Sequence, residues 1–169
     1  MAVIFDLDQT LINSQLAEPL RKARNWSAVY PMIPQLRPYD GIPELLQFLH
    51  EQNIPVCIVT SSPESYCSRV IRHWGWTIVT PVCYHDTQFK KPHPEPILLG
   101  LQRLGVQPAA AVAVGDDPKD IQAAKAAGVF AIGVAWGCQS RVALQATRPD
   151  VLCDTVDELR RLLLKRFKR

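Results

Sequence analysis

Short apolar runs rich in β-branched residues alternate along this chain with stretches in which apolar side chains recur every three or four positions. Ala2–Phe5 (AVIF), 55–60 (PVCIVT), 109–114 (AAAVAV) and 130–135 (FAIGVA) read as strands. Residues 77–83 (TIVTPVC) form a further strand candidate, weakened by Pro81. Between them, 41–52 places Leu45, Phe48 and Leu49 on one helical face. Residues 63–73, 96–104 and the Ala-rich 119–127 follow as helices, the last two stopped by Gly105 and Gly128. Residues 157–167 form an amphipathic helix with Leu159, Leu162 and Leu163 facing inward. Strands that are apolar throughout are covered on both faces. The pattern therefore predicts an α/β fold, a three-layer Rossmann-like sandwich with a mainly parallel sheet. Residues 13–40 break the alternation. They hold Trp26, Tyr30, Tyr39, four prolines, Arg21, Lys22 and Arg24, and predict one helix with an irregular return.

Composition narrows the class. A length of 169 residues suits one domain, 1–169, with 13–40 as a candidate small lid and 155–169 as a basic terminal helix. The longest uncharged run, 126–140, is too short and too glycine-rich for a membrane helix, and residues 1–6 carry no secretory pattern. Five cysteines, odd in number and without CxxC spacing, read as reduced thiols packed as small hydrophobes, which places the protein in the cytoplasm. Net charge is +3, but six basic residues lie in 160–169; without them 13 basic residues face 16 acidic ones. The positive charge is thus a property of the tail. Its plainest reading is a solvated helix face, and nucleic-acid contact has no support beyond it.

The polar residues that matter fall where strands end. Asp6 follows the first strand, with Asp8 two residues on; Thr60 ends the second; Asp116, Asp117 and Asp120 follow 109–115; Lys91 sits in the loop Phe89-Lys90-Lys91-Pro92. Parallel strands bring these groups to one edge of the sheet, where such folds bind ligands. Clustered carboxylates repel unless a cation sits among them, and a hard divalent ion such as Mg²⁺ suits oxygen donors. A lysine and a hydroxyl facing the same point favour an anion such as phosphate. A carboxylate beside phosphate can attack phosphorus, and a second can move a proton.

Asp6-Leu7-Asp8-Gln9-Thr10 resembles the DxDxT signature of the haloacid dehalogenase superfamily of phosphatases. Val59-Thr60 is similar to its second motif, Lys91 in Lys-Pro-His-Pro-Glu-Pro to its third, and Gly115-Asp116-Asp117-Pro118-Lys119-Asp120 to its fourth. All four stand in order across residues 6–128. The resemblance implies a Mg²⁺-dependent phosphomonoester hydrolase that forms an aspartyl-phosphate. Asp6 is then the nucleophile and Asp8 the acid and base. Asp6, the Asp8 main-chain carbonyl and Asp116 hold Mg²⁺. Thr60, Ser61 and Lys91 bind the phosphoryl oxygens, with Asp117 or Asp120 orienting metal waters or Lys91. The implied partner is a phosphorylated small molecule; a polynucleotide end or a phosphoprotein is the alternative substrate class.

Two departures stand out. Gln9 occupies a position where the family usually has glycine. The gaps of 53 residues from Asp6 to Thr60 and 30 from Thr60 to Lys91 leave no room for a full cap domain. Without a closing cap, phosphoryl transfer between substrate positions is disfavoured, and Asp8 argues against dehalogenation. A non-catalytic binding protein would show a lost motif residue, and none is missing. Several residues also have structural readings: Asp117 as a helix N-cap, Asp120 as a dipole partner, Lys90 as a rival of Lys91, Ser61 or Ser62 in place of Thr60. His85, Asp86 and His93 read as loop residues. Trp136-Gly137 follows a strand and is a candidate for facing the site.

Overall fold

The side chains of β1 (Ala2–Phe5) alternate between two apolar clusters, Val3 and Phe5 on one side and Ile4 on the other, and this alternation builds a sheet covered on both faces. The computed structural model describes residues 1–78 and 81–167. Within them β1, β2 (Val56–Ile58), β3 (Ala111–Gly115), β4 (Phe130–Val134) and β5 (Val151–Cys153) form one parallel sheet in the order β2-β1-β3-β4-β5. On one face lie the apolar sides of α3 (Ile42–Glu51), α4 (Glu64–Trp74) and α8 (Val156–Phe167). On the other lie α5 (Glu95–Leu104), α6 (Pro118–Ala126) and α7 (Arg141–Ala146). The three-layer α/β sandwich with a parallel sheet is the architecture that the hydrophobic pattern predicts.

The differences from the sequence reading are local. β5 and α7 were not anticipated: β5 is three residues long and half-buried, too short for a period to show. The strand expected over 109–114 begins two residues later, because Pro108–Ala110 form a 3₁₀ turn. Of the strand expected over 77–83, residues 79 and 80 lie outside the described residues; Val82 pairs in parallel with Val59. Residues 13–40 hold two short helices in place of one, α1 (Glu18–Lys22) and α2 (Trp26–Val29), separated by a left-handed Arg24. This segment carries Ala17, Val29, Ile33 and Leu36 into the core and packs on α4 through Trp26–Tyr66 ring contact and a 2.7 Å Tyr30–Ser65 hydroxyl bond. The basic tail also lies partly against the domain, with the Arg166 guanidinium 3.8 Å from the centre of the Phe130 ring and Arg160 over Phe48. No disulfide joins the five cysteines, and no helix among the described residues is long and apolar enough to cross a membrane.

Register decides what meets at the sheet edge. Phe5 stands opposite both Ile58 and Val114, so the next residues, Asp6, Val59 and Gly115, emerge side by side. The loop after β4 closes over the loop after β1: Trp136 Nε1 donates to the Thr10 carbonyl at 3.0 Å, and a Cβ on Gly137 would lie 1.8 Å from the Gln9 carbonyl oxygen. That contact is with backbone, which cannot swing aside. Gly137→Ala is therefore expected to destabilise the fold by about 1–3 kcal/mol, seen as a lower urea midpoint at unchanged slope. An unchanged midpoint would show that the two loops do not touch in solution.

Candidate active site

The turn after β1 is tight enough to force a left-handed backbone at Gln9, φ 67°, which explains why glycine suits this position. Gln9 is held there by the Tyr39 hydroxyl, which donates to its Oε1 at 2.7 Å, so its side chain is engaged within the protein. Burial, with the nearby Asp116 carboxylate, pushes the Tyr39 hydroxyl up to about 12, which keeps it a donor. Thr10 turns inward and donates to Asp116 Oδ1 at 2.7 Å, tying the first loop to the loop after β3.

Asp6, Lys91, Asp116 and Asp120 converge. Lys91 Nζ lies 2.7 Å from Asp6 Oδ1, 2.5 Å from Asp120 Oδ1 and 3.0 Å from the Val59 carbonyl. Carboxylate oxygens of Asp6, Asp116 and Asp120 lie within 4.8 Å of one another. Asp120 can approach because residue 115 is glycine: a Cβ there would sit 2.3 Å from the Asp120 Cβ. Asp120 Oδ2 also accepts from the Asp117 amide at 3.1 Å, while the exposed Asp117 caps α6 by accepting from the Lys119 amide at 2.8 Å. Thr60 is buried, and its Oγ1 accepts from the Ser62 amide at 3.1 Å, leaving its hydroxyl proton to donate. Ser61 is exposed. Lys90 is turned away, donating to the Tyr84 and Thr87 carbonyls and so shaping the loop that presents Lys91. His93 stacks on Phe89, and Asp86 pairs with Arg103; His85 lies on the rim of a separate cavity.

Asp8 sits apart from the carboxylate cluster. Its Oδ2 accepts from Ser62 Oγ at 2.8 Å and meets Arg21 at 2.6 Å, and its Oδ1 accepts from the Tyr66 hydroxyl at 2.9 Å. The sequence pattern marks neither Arg21 nor Tyr66 for this place, and it offers Ser62 only as an alternative to Thr60. Tyr66 belongs to the buried stripe of α4 with Val70, and a hydroxyl-tipped ring on such a stripe was the one available signal. Arg21, in the irregular segment, gave none. As a metal donor Asp8 can contribute its main-chain carbonyl, since its carboxylate is occupied.

Electrostatics point to a cation. Burial, with the neighbouring Lys91 pulling the other way and Asp120 adding repulsion, leaves the Asp6 carboxyl pushed up to about 7. Burial and the Asp6 and Asp120 charges push Asp116 up to about 9. Burial pulls Lys91 down, but Asp120 and Asp6 more than compensate and hold it firmly charged. One lysine is too little charge for three carboxylates, and an all-oxygen donor set fits a hard divalent ion such as Mg²⁺. The sign of the linkage follows. Asp6 and Asp116 hold protons in the folded protein over a range where the unfolded chain has lost them, so metal-free stability falls as pH climbs from the ordinary carboxylate range towards those raised values. Mg²⁺ held by these carboxylates would displace those protons, so its stabilising shift of the melting temperature is expected to be larger near pH ~8 than near pH ~6. Equal shifts at both would place the ion away from these carboxylates.

Comparison with known proteins agrees with this geometry. Residues 19–134 match the family model described as haloacid dehalogenase-like hydrolase. The phosphoglycolate phosphatase of Salmonella typhimurium is 35% identical over 123 residues, and that of Escherichia coli K12 is 32% identical; each match covers 72% of this chain and 49% of the relative. The chain thus spans about half the length of these curated relatives. Among solved structures, a hydrolase from Pseudomonas syringae superposes with a TM-score of 0.84 at 20% identity, covering 98% of both chains. CbbY from Rhodobacter sphaeroides, solved in complex with phosphate, gives 0.79 at 19% identity over 94% of this chain and 95% of that one. On its sheet order, its four ordered motifs and the matched family model, the chain belongs to the haloacid dehalogenase-like hydrolase family.

Proposed function

We propose that this protein is a Mg²⁺-dependent phosphomonoester hydrolase that acts on a phosphorylated small molecule through an aspartyl-phosphate. The carrying observation is the convergence of Asp6, Lys91, Asp116 and Asp120 at the carboxyl edge of the sheet, with Asp8 held separately beside them. The phosphoglycolate phosphatase relatives support the substrate class. Asp6, Asp116 and the Asp8 main-chain carbonyl are the groups that would hold Mg²⁺, which when bound neutralises phosphoryl charge. Asp120 takes the role of fixing Lys91, and Asp117 that of capping α6 so that Asp120 stays aligned.

In the first step an Asp6 carboxylate oxygen forms a bond to phosphorus as the bond to the alcohol oxygen breaks. Lys91 and the Thr60 hydroxyl stabilise the negative charge on the phosphoryl oxygens. Asp8 gives a proton to the departing alkoxide. It then takes a proton from the water that attacks phosphorus, releasing inorganic phosphate and restoring Asp6. Ser62, Tyr66 and Arg21 fix the Asp8 carboxyl in one orientation for both transfers.

Phosphate release from para-nitrophenyl phosphate is expected to require Mg²⁺ and to vanish in Asp6→Asn. Release that survives EDTA, or an active Asp6→Asn protein, overturns the reading. Asp8→Ala is expected to lose roughly 10²–10⁴-fold in kcat/KM, which reads the step that expels the alcohol and not the later hydrolysis, with an alkyl phosphate, the usual worth of a placed proton donor. The loss should be much smaller with nitrophenolate, which leaves without a proton. Equal losses for the two leaving groups would remove Asp8 from proton transfer to the alcohol.

A further inference from the structure

Lys91 is the cation that meets the carboxylate cluster, yet it comes from a loop that the core does not hold. Thr87 and Pro96 are buried, and no residue between them is. The conformation of 88–95 therefore rests on polar and ring contacts. Most of these join the loop to itself or to the residues just before it. The Lys90 ammonium donates to the Tyr84 and Thr87 carbonyls, the His93 amide donates to the Lys90 carbonyl at 2.9 Å, and the Phe89 and His93 ring centres lie 4.6 Å apart.

Glu95 reaches further. It is the first residue of α5, a helix seated in the core by Pro96, Ile97 and Leu101. Its Oε1 accepts from the Gln88 amide at 3.1 Å and its Oε2 from the Phe89 amide at 2.8 Å, seven and six residues back. An acid at a helix start ordinarily serves the amides of its own first turn. Here Pro94 and Pro96, on either side, carry no amide hydrogen, and the Glu95 amide is taken by His93 Nδ1 at 3.2 Å. Both carboxylate oxygens are thus given to the loop. The Phe89 and Gln88 amides hold the Glu95 carboxyl below the usual carboxylate range, which keeps it an acceptor. Among the described residues this is the one hydrogen-bonded hold that α5 has on 88–91.

Lys91 needs such a hold. Its ammonium is fixed by Asp6, Asp120 and the Val59 carbonyl. In the reaction proposed above, Asp6 changes charge and shape when it bonds phosphorus, so one of those three partners alters midway. The backbone that carries Lys91 must then keep its place without it.

We propose that Glu95 is a positioning residue of the hydrolase inferred above, on which the proposal rests. Its carboxylate fixes the loop from which Lys91 reaches the phosphoryl oxygens, while its own oxygens stay on the loop amides.

The test compares the unaltered protein with Glu95→Ala, which leaves both amides without their acceptor, and Glu95→Gln, whose side-chain oxygen can keep one. In Glu95→Ala, kcat/KM for para-nitrophenyl phosphate is expected to fall roughly ten- to a hundredfold, since a misplacement near ~1 Å costs up to about 10²-fold. Glu95→Gln should recover part of the loss. Two binding measurements separate positioning from a general loosening of the fold. With Lys91 drawn back the carboxylates are less neutralised, so Mg²⁺, titrated by calorimetry, should bind at least as tightly as before. Orthovanadate on the Mg²⁺-loaded protein should bind roughly tenfold more weakly, the worth of one charged contact. Unchanged vanadate binding, or equal weakening of Mg²⁺ and vanadate, overturns the proposal. Failure of the unaltered protein to hydrolyse the ester would instead count against the hydrolase reading. Lys91 itself is then the judge, through its acetylation by acetic anhydride read by mass spectrometry. Acetylation about tenfold faster in Glu95→Ala, and intermediate in Glu95→Gln, supports the hold; equal rates in all three exclude it.

Discussion

Lys91 sits between Asp6 and Asp120 where water barely reaches, and the neighbouring Asp116 leaves this cluster one positive charge against three carboxylates. Such an arrangement is expensive for a fold. Burial raises the cost of each charge, and the imbalance forces protons onto Asp6 and Asp116 at a pH where free carboxyls have long lost them. A chain selected for stability alone would place apolar groups here. The imbalance has a use only if further positive charge, and then an anion, enters the site. That is the electrostatic condition for metal-assisted chemistry on phosphate.

The fold meets this condition with few devices. Parallel strands in register deliver Asp6 and Asp116 to one edge without a long loop. The absent side chain at Gly115 lets Asp120 fold back against the strand end, and the capping bonds at the start of α6 fix its direction. Asp8 is two residues from Asp6, yet the turn at Gln9 sends its carboxyl towards Ser62, Tyr66 and Arg21. The two carboxylates of one short motif therefore sit in different surroundings, one crowded by acids and one bonded by three donors. In the mechanism proposed above these different surroundings suit the two to different tasks, bond-making at Asp6 and proton movement at Asp8.

What the sequence reveals follows from what is periodic or compressed into a motif. The strands β1, β3 and β4 and the helices α3, α5, α6 and α8 have enough residues for burial to write a repeat, and the acids that follow the strands take their positions from them. β5 escaped because three half-buried residues carry no period. Arg21 escaped for another reason. Its placement depends on two short helices whose packing on α4 comes from long-range contacts, such as Trp26 against Tyr66, that no local pattern encodes. Lys90 and Lys91 show the same limit in miniature. They are adjacent and chemically equal, and the Tyr84 ring with the carbonyls of Tyr84 and Thr87 draws one away and leaves the other for the site.

The segment 13–40 bears on which acceptor the phosphoryl group meets. It is anchored by buried Val29, Ile33 and Leu36, by the Tyr30–Ser65 bond and by Arg21 on Asp8. Freeing it would expose those apolar groups and leave Asp8 without its charged partner. The cavity that this segment lines has exposed residues at the rim, among them Lys22, Arg24 and Ser61. Enzymes that pass a phosphoryl group between positions of a substrate must keep water from a reactive acyl phosphate, and they do so by closing over it. A site walled on one side and open on the other gives water standing access to such an intermediate. On the reading proposed above, that access favours hydrolysis over transfer.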